Sequence, residues 1–258
     1  MSRRSTKIKR KIAAVVLVCC LAGVLLLGFF LWQELSERKS GLDYYRNLAA
    51  EYAPGQGESG EQQEKSERRE NSGTEFTWLT ELQKACPDVA GWITLEDSQI
   101  DYPVVQGEDN DFYLHHVPDG TANEAGSIMM DSQCSPDWSD EVIILYGHHM
   151  KNGSMFGSLE AYGDPAYWES HKTIQLYTPS GMQNVEIFAA CEVDGNQFSY
   201  QTAFTTAEEK ENWFRELCSA SSFQADSSIG SRDQILLLST CAYSFQDARY
   251  VVAGRVIY

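Results

Sequence analysis

"QILLLSTCAYSFQDARYVVAGRVIY", residues 234–258, contains two apolar runs separated by a polar loop. The first run, Gln234–Thr240, is nearly continuous and ends in two hydroxyl residues, and the second, Arg249–Tyr258, is rich in valine and tyrosine. Short apolar runs bounded by turn residues are typical of buried β-strands. The stretch therefore predicts two strands joined by a short loop, with Cys241 where the first strand leaves the core and Arg249 at the start of the second.

Most of the chain before this stretch also has β-like patterns. Six further strands are predicted at Trp92–Leu95, Gln99–Val105, Ser127–Met130, Val142–Tyr146, Thr173–Thr178 and Val185–Val193. Helical spacing predicts a helix from Phe76 towards Pro87, an amphipathic helix at Ala207–Ala220 and a short helix at Ser154–Leu159. Eight strands with few helices and no alternation of strand and helix predict a mainly β fold, either a closed barrel or a sandwich.

The N-terminus has the pattern of a membrane anchor. Six basic residues within residues 3–11 precede the segment Ile12–Trp32, which has no charged residue. As a helix, 21 residues span roughly 30 Å, the hydrocarbon thickness of a bilayer. The positive-inside rule predicts that residues 1–11 are cytoplasmic and that the chain after Trp32 is outside the cell. A cleaved signal peptide is the alternative, but its apolar core is usually only about 7–15 residues long.

Two segments follow the predicted anchor. Residues 33–52 have helix-forming composition, which we expect to be broken at Gly41, and Ala53–Gly73 contains no aromatic or large aliphatic residue. Such a composition cannot offset the entropy of ordering, so we expect a flexible stalk. The predicted organisation is thus a juxtamembrane helix and stalk at 33–75 and an extracellular domain at 76–258.

Charge and cysteine content restrict the function. After the six N-terminal basic residues, fourteen basic residues stand against 37 acidic ones, a formal charge of −23 that excludes nucleic acid as a partner. Five cysteines follow the predicted anchor, so at least one thiol is unpaired. No pair has the spacing of zinc ligands, and no metal is expected. We expect Cys86, Cys134, Cys191 and Cys218 to be buried free thiols.

Three residues at predicted strand ends could carry chemistry together. Cys241 could be a nucleophile, His148, after the strand that ends near Gly147, could be a general acid or base, and Arg249 could stabilise an oxyanion and favour thiolate. Taken singly, each has a structural alternative: a buried thiol, a solvated loop histidine, and a surface ion pair with Asp247. His149 competes with His148 for the same role.

These motifs resemble those of a known family. "LSTC" at Leu238–Cys241 followed by "RYVV" at Arg249 resembles the signature of sortases, the cysteine transpeptidases of Gram-positive cell surfaces. "GWITLEDSQIDYPVVQGEDNDFYLHH" and "YGHHMKNGSMFGSL" resemble the class B branch. The resemblance covers about Phe76–Tyr258 and implies a closed eight-stranded sortase barrel. One departure is Leu237, where the family often has threonine.

The resemblance implies a reaction and its participants. Cys241 would form a thioester with a sorting motif of an exported protein, His148 would transfer protons and Arg249 would stabilise the oxyanion. The acceptor would be an amine of peptidoglycan or its lipid-linked precursor, and no cofactor would be needed. Ser239 and Thr240 could donate hydrogen bonds to substrate or cap the strand end. The alternatives are a cysteine peptidase that transfers the acyl group to water, a pilin-polymerising sortase and a noncatalytic surface binding module.

Overall fold

The computed structural model describes residues 2–54, 76–226, 228–230 and 232–257. All eight predicted strands are present, with bounds that differ by a few residues from the sequence expectation. The strands are β1 (Val89–Thr94), β2 (Asp101–Val105), β3 (Ile128–Met130), β4 (Val142–Tyr146), β5 (Thr173–Thr178), β6 (Gly181–Asp194), β7 (Ile235–Cys241) and β8 (Ala248–Ile257).

These strands form one closed barrel in the order β1-β2-β3-β4-β7-β8-β6-β5, and β5 pairs with β1 to close it. Two pairs, β2 with β3 and β4 with β7, are parallel, and the others are antiparallel. The closed barrel confirms one of the two folds expected from the strand pattern and excludes the sandwich. Closure also removes the free strand edges that promote aggregation.

Strands β4 and β7 lie at the centre of the core. Residues 142–145 and 235–238 are all at most 2% exposed. Strands covered on both faces need apolar residues at every position, which explains why these two segments are continuous rather than alternating. The two strands are therefore a rigid base for the residues that follow them.

In the part of the chain that the structure describes, four α-helices and two 3-10 helices accompany the barrel. They are α1 (Ser2–Tyr52), α2 (Thr77–Ala85), α3 (Pro165–Ser170), α4 (Ala207–Ala220), and the 3-10 helices Phe112–Leu114 and Gly157–Gly163. Helix α4 has the predicted bounds, and Thr206 caps it by accepting a hydrogen bond from the Glu209 backbone N–H. The short helix expected at Ser154–Leu159 begins instead at Gly157. Met155 has φ of 54°, which a right-handed helix does not allow.

Helix α1 corrects two expectations. It continues through Gly41 without a break. A Cβ there would lie 2.6 Å from Asn123 Oδ1, so the glycine permits close packing of the helix against Asn123. Tyr45 and Ala53 are buried, so the packed body includes residues well before Phe76, where we expected the domain to begin. Residues 55–75, most of the expected stalk, lie outside the described residues.

The predicted membrane anchor lies within α1. Among the residues whose placement the structure describes, no helix combines the length and the apolar character of a membrane span. The anchor stays a prediction.

Candidate active site

Cys241 and Arg249 face each other across two neighbouring strands. Cys241 is the last residue of β7, and the antiparallel register pairs it directly with Arg249 in β8. Side chains of directly paired residues lie on the same face of a sheet, with Cβ atoms about 5 Å apart. The side chains of Cys241 and Arg249 therefore start from neighbouring positions on one face of the sheet, and both are half-buried.

His148 reaches the same place from β4, the other neighbour of β7. The parallel register pairs Tyr146 with Ser239. Beyond this pair, Gly147 N donates to the Ser239 carbonyl oxygen at 3.2 Å, and Thr240 Oγ1 donates to the Gly147 carbonyl oxygen at 2.8 Å. If this register continued beyond the end of β4, the backbone of His148 would lie next to that of Cys241, at the usual strand spacing of about 4.8 Å. The three residues predicted from sequence thus lie on or just after three adjacent strands at one end of the barrel.

A hydrogen bond to the backbone selects the tautomer of His148. Its Nε2 lies 2.7 Å from the carbonyl oxygen of Leu114. Because a carbonyl oxygen only accepts, Nε2 carries the proton, and in neutral imidazole Nδ1 is then the acceptor. Nδ1 is therefore the nitrogen that can gain and lose a proton during a reaction.

Gly147 lies between the end of β4 and His148, and its lack of a side chain allows the backbone to pass through a tightly packed region. A Cβ at Gly147 would lie 2.5 Å from Ile128 Cδ1 and 2.8 Å from two ring carbons of Phe156. Both neighbours are fully buried. The backbone before His148 is thus packed too tightly for any side chain.

Arg249 is not held by the ion pair with Asp247 that was its structural alternative. Its Nη1 donates to the Ala248 carbonyl oxygen at 3.1 Å, while the Asp247 carboxylate accepts from Asn196 Nδ2 at 3.1 Å. Opposite Arg249, Gly195 leaves space for its stem, since a Cβ there would lie 3.0 Å from Arg249 Cγ. The guanidinium group keeps donors that a substrate can use.

Ser239 and Thr240 are almost fully buried, 2% and 3% exposed. Thr240 donates to Gly147 as described, and Ser239 Oγ lies 2.8 Å from the hydroxyl of Tyr200. Both hydroxyls therefore make hydrogen bonds within the protein at the end of β7, which fits the alternative that they cap the strand end. Direct contact of either hydroxyl with substrate stays a prediction.

Tyr200 is a site residue that the sequence did not indicate. Burial raises the pKa of its phenol, while the hydrogen bond with Ser239 and the positive charge of Arg249 act in the opposite direction. The hydroxyl is therefore protonated at neutral pH and lies within the electrostatic reach of both Arg249 and Cys241. Its ring also contacts Tyr146, with ring centroids 5.8 Å apart. Tyr200 follows β6 in an irregular segment, and no spacing or motif could have revealed it.

His149 is occupied by neighbouring side chains. Its Nε2 lies 3.4 Å from a Glu160 carboxylate oxygen, and its ring stacks on Tyr243 with centroids 5.2 Å apart. Tyr243 lies in the β7–β8 loop, so His149 connects this loop to the segment after β4. The two candidate histidines thus have different surroundings, since His148 contacts a backbone carbonyl oxygen and His149 contacts Glu160 and Tyr243. The residue pattern alone could not distinguish them.

The other cysteines differ from Cys241 in their surroundings. Cys86, Cys134 and Cys191 are buried free thiols, as expected, and Cys218 is half-buried. Burial raises the pKa of Cys134 and of Cys191 to about 11, which keeps both as unreactive thiols at neutral pH. Within the described part of the chain, no group of three or more His, Cys, Asp or Glu side chains could hold a metal ion.

Comparison with known proteins decides the family. The model of the sortase domain matches residues 93–257, which include all three strands of the site. The chain belongs to the sortase family. Sortase B of Listeria monocytogenes is 35% identical over 183 residues, which cover 69% of this chain and 74% of that protein.

Solved structures agree with this assignment. Sortase B of Clostridium perfringens has a TM-score of 0.66 and 35% identity over 69% of this chain and 99% of that one. A sortase B–substrate complex from Staphylococcus aureus has a TM-score of 0.73 and 27% identity over 86% of this chain and 98% of that one. The protein is therefore a class B sortase, a cysteine transpeptidase that anchors or processes surface proteins.

Proposed function

We propose that the Cys241 thiolate attacks a backbone carbonyl within a sorting motif near the C-terminus of an exported protein. The peptide bond breaks, the acyl part stays on sulfur as a thioester, and the leaving amine takes a proton from His148 Nδ1. An incoming amine then loses a proton to the same nitrogen, attacks the thioester and releases the thiolate. The observation that supports this assignment is the strand register, which brings Cys241 directly opposite Arg249 and next to β4, the strand that ends two residues before His148.

In this proposal Arg249 stabilises the negative charge of the tetrahedral intermediate. Arg249 and Cys241 are directly paired residues of neighbouring strands, so their side chains lie on the same face of the sheet. The hydrogen bond from His148 Nε2 to Leu114 is compatible with both protonation states of the ring, because Nε2 donates in each. Only Nδ1 changes its protonation state in the cycle.

We further propose that the acceptor is an amine of peptidoglycan or of its lipid-linked precursor, so that the product is a covalently anchored surface protein. The sortase class supports acyl transfer to an amine, and the Staphylococcus aureus complex supports a substrate site in this fold.

The proposed location is the cell membrane, with a single span at 12–32, a cytoplasmic N-terminus and an extracellular domain. Six basic residues precede the apolar segment, and the large apolar side chains described within it are exposed, for example Leu25 at 74% and Phe30 at 64%. Exposed apolar side chains on a helix preceded by basic residues fit a lipid environment. Cell fractionation with protease treatment of intact cells tests this location: the domain should be in the membrane fraction and accessible to protease.

Mass spectrometry tests the reaction itself. The full-length protein in detergent is incubated with a library of pentapeptide motifs, first alone and then with an amine acceptor. We expect an acyl adduct on Cys241 and its transfer to the amine, with Cys241→Ala inactive and Cys191→Ala active as the matched control. Hydrolysis with no transfer in either case would favour a cysteine peptidase, and transfer only to a protein lysine would favour pilin polymerisation. Activity in Cys241→Ala would refute the proposal.

A further inference from the structure

The Leu114 carbonyl that orients His148 belongs to a turn at residues 112–116, and this turn is held by a loop at residues 123–127, which we call the clamp loop. Ser127 N donates to the Tyr113 carbonyl oxygen at 2.8 Å, and Ser127 Oγ donates to the His116 carbonyl oxygen at 2.8 Å. Ser127 is 1% exposed. The turn is thus fixed by buried hydrogen bonds and not only by its own local conformation.

Within the clamp loop, Gly126 lies directly against the turn. It has φ of 57°, and a Cβ there would lie 2.5 Å from the Leu114 carbonyl oxygen and 2.8 Å from that of Tyr113. The two backbones therefore pack too closely to leave room for a side chain at Gly126, so a displacement of Gly126 is transmitted to the carbonyl that binds His148.

Helix α1 holds the clamp loop from the opposite side. The hydroxyl of Tyr45, which is buried, donates to the Gly126 carbonyl oxygen at 2.5 Å. One helical turn earlier, on the same face, Gly41 packs against Asn123 and Ala125. A continuous path of contacts therefore leads from α1 through the clamp loop and the Leu114 carbonyl to His148.

We infer that Tyr45 is a positioning residue for His148: through Gly126 it fixes the Leu114 carbonyl and so holds the imidazole in the tautomer with the proton on Nε2. This inference rests on the proposed role of His148. It assigns to the N-terminal helix a part in acyl transfer through the contact of Tyr45 with the clamp loop and not through contact with the reacting atoms. Without the Tyr45 hydroxyl, the Leu114 carbonyl is less well fixed, and the tautomer with the proton on Nδ1, which cannot accept one there, becomes populated.

The test uses the full-length protein in detergent and compares Tyr45→Phe with Tyr162→Phe. Each substitution removes one buried hydroxyl that donates to a backbone carbonyl, but the partner of Tyr162 is His171, outside both the turn and the clamp loop. Two-bond ¹⁵N–¹H spectra of the histidine rings report the His148 tautomer, and steady-state kinetics with a peptide donor report kcat and KM separately.

We expect Tyr45→Phe to show both tautomers of neutral His148 and a kcat about five-fold lower with unchanged KM, the factor that one neutral hydrogen bond typically contributes. Ser127→Ala should shift the same signals in the same direction. Tyr162→Phe should lose comparable stability but keep the wild-type tautomer and kcat. A wild-type His148 spectrum in Tyr45→Phe, with His148→Ala inactive, would refute this inference alone, whereas activity in His148→Ala would refute the proposed function.

Discussion

Replacing Gly147 by alanine tests whether the close packing before His148 matters for stability and for catalysis. The new methyl carbon would lie 2.5 Å from Ile128 Cδ1 and 2.8 Å from the Phe156 ring. Ordinary contacts between carbon atoms are about 3.5–4.0 Å, so the closer contact is about 1 Å too short. Neither neighbour can move towards solvent, because both are 0% exposed.

Overpacking of a core usually costs about 1–3 kcal/mol, and the two short contacts favour the upper part of that range, about 2–3 kcal/mol. For a domain of this size, this loss corresponds to a decrease in Tm of about 5–10 °C. Strand β4 can relieve the overlap only by displacing its end, which carries His148. A displacement of about 1 Å in a catalytic group can lower kcat by about 100-fold.

Thermal unfolding and the rate of thioester formation measure these two effects. Gly163→Ala is the matched control, because its Cβ would be 3.7 Å from the Tyr250 hydroxyl, an ordinary contact. Adding Ile128→Val to Gly147→Ala removes the Cδ1 atom at 2.5 Å and should restore part of both properties, although the Phe156 contact remains. If Gly147→Ala and Gly163→Ala have the same Tm and the same rate of thioester formation, the assumption that the end of β4 is rigid is wrong.

Three further predictions follow from the site and the core. Arg249→Lys keeps the positive charge but loses the planar fork of donors, so we expect kcat/KM for acyl transfer to fall by about 10- to 100-fold, and a wild-type value would contradict the oxyanion role. Tyr200→Phe and Ser239→Ala should each lower the free energy of unfolding by about 1 kcal/mol, and the double variant by less than the sum; full additivity in urea unfolding would show that the two hydroxyls do not interact. Cys134 and Cys191 have folded-state pKa values near 11, above the ordinary thiol value of 9.0. As the pH rises, these thiols ionise first in the unfolded state, so the free energy of unfolding should decrease between about pH 9 and pH 11. A double alanine variant should show a flatter dependence of Tm on pH in this window, and an unchanged slope would contradict the assignment.

The strands could be predicted from sequence because their signals are local. β4 and β7 are continuous apolar runs between polar segments, and β4 was predicted with its observed bounds. The residues alone did not distinguish a barrel from a sandwich, because closure depends on the pairing of β5 with β1, about 80 residues apart in the chain.

Features that depend on distant contacts were missed or wrong. Gly41 was expected to break a helix because its intrinsic helix propensity is low, but its contact with Asn123 decides its role. Tyr200 enters the site only because the segment after β6 folds back onto β7. The common location of Cys241, His148 and Arg249 at one end of the barrel could be predicted because all three lie at predicted strand ends and because their motifs resemble those of sortases; their catalytic roles stay a proposal.

The parallel pairing of β4 with β7 has a consequence for how the enzyme matures. His148 and Cys241 are 93 residues apart in the chain, and Arg249 lies on β8, which follows both of them. Contacts between residues this distant form late in folding, because the entropy cost of closing a large loop comes before the contacts can stabilise the fold. In a nascent or partly folded copy of the protein, the thiol of Cys241 is present but His148 and Arg249 are not yet beside it. Such a copy therefore cannot cleave other proteins before its own barrel is complete.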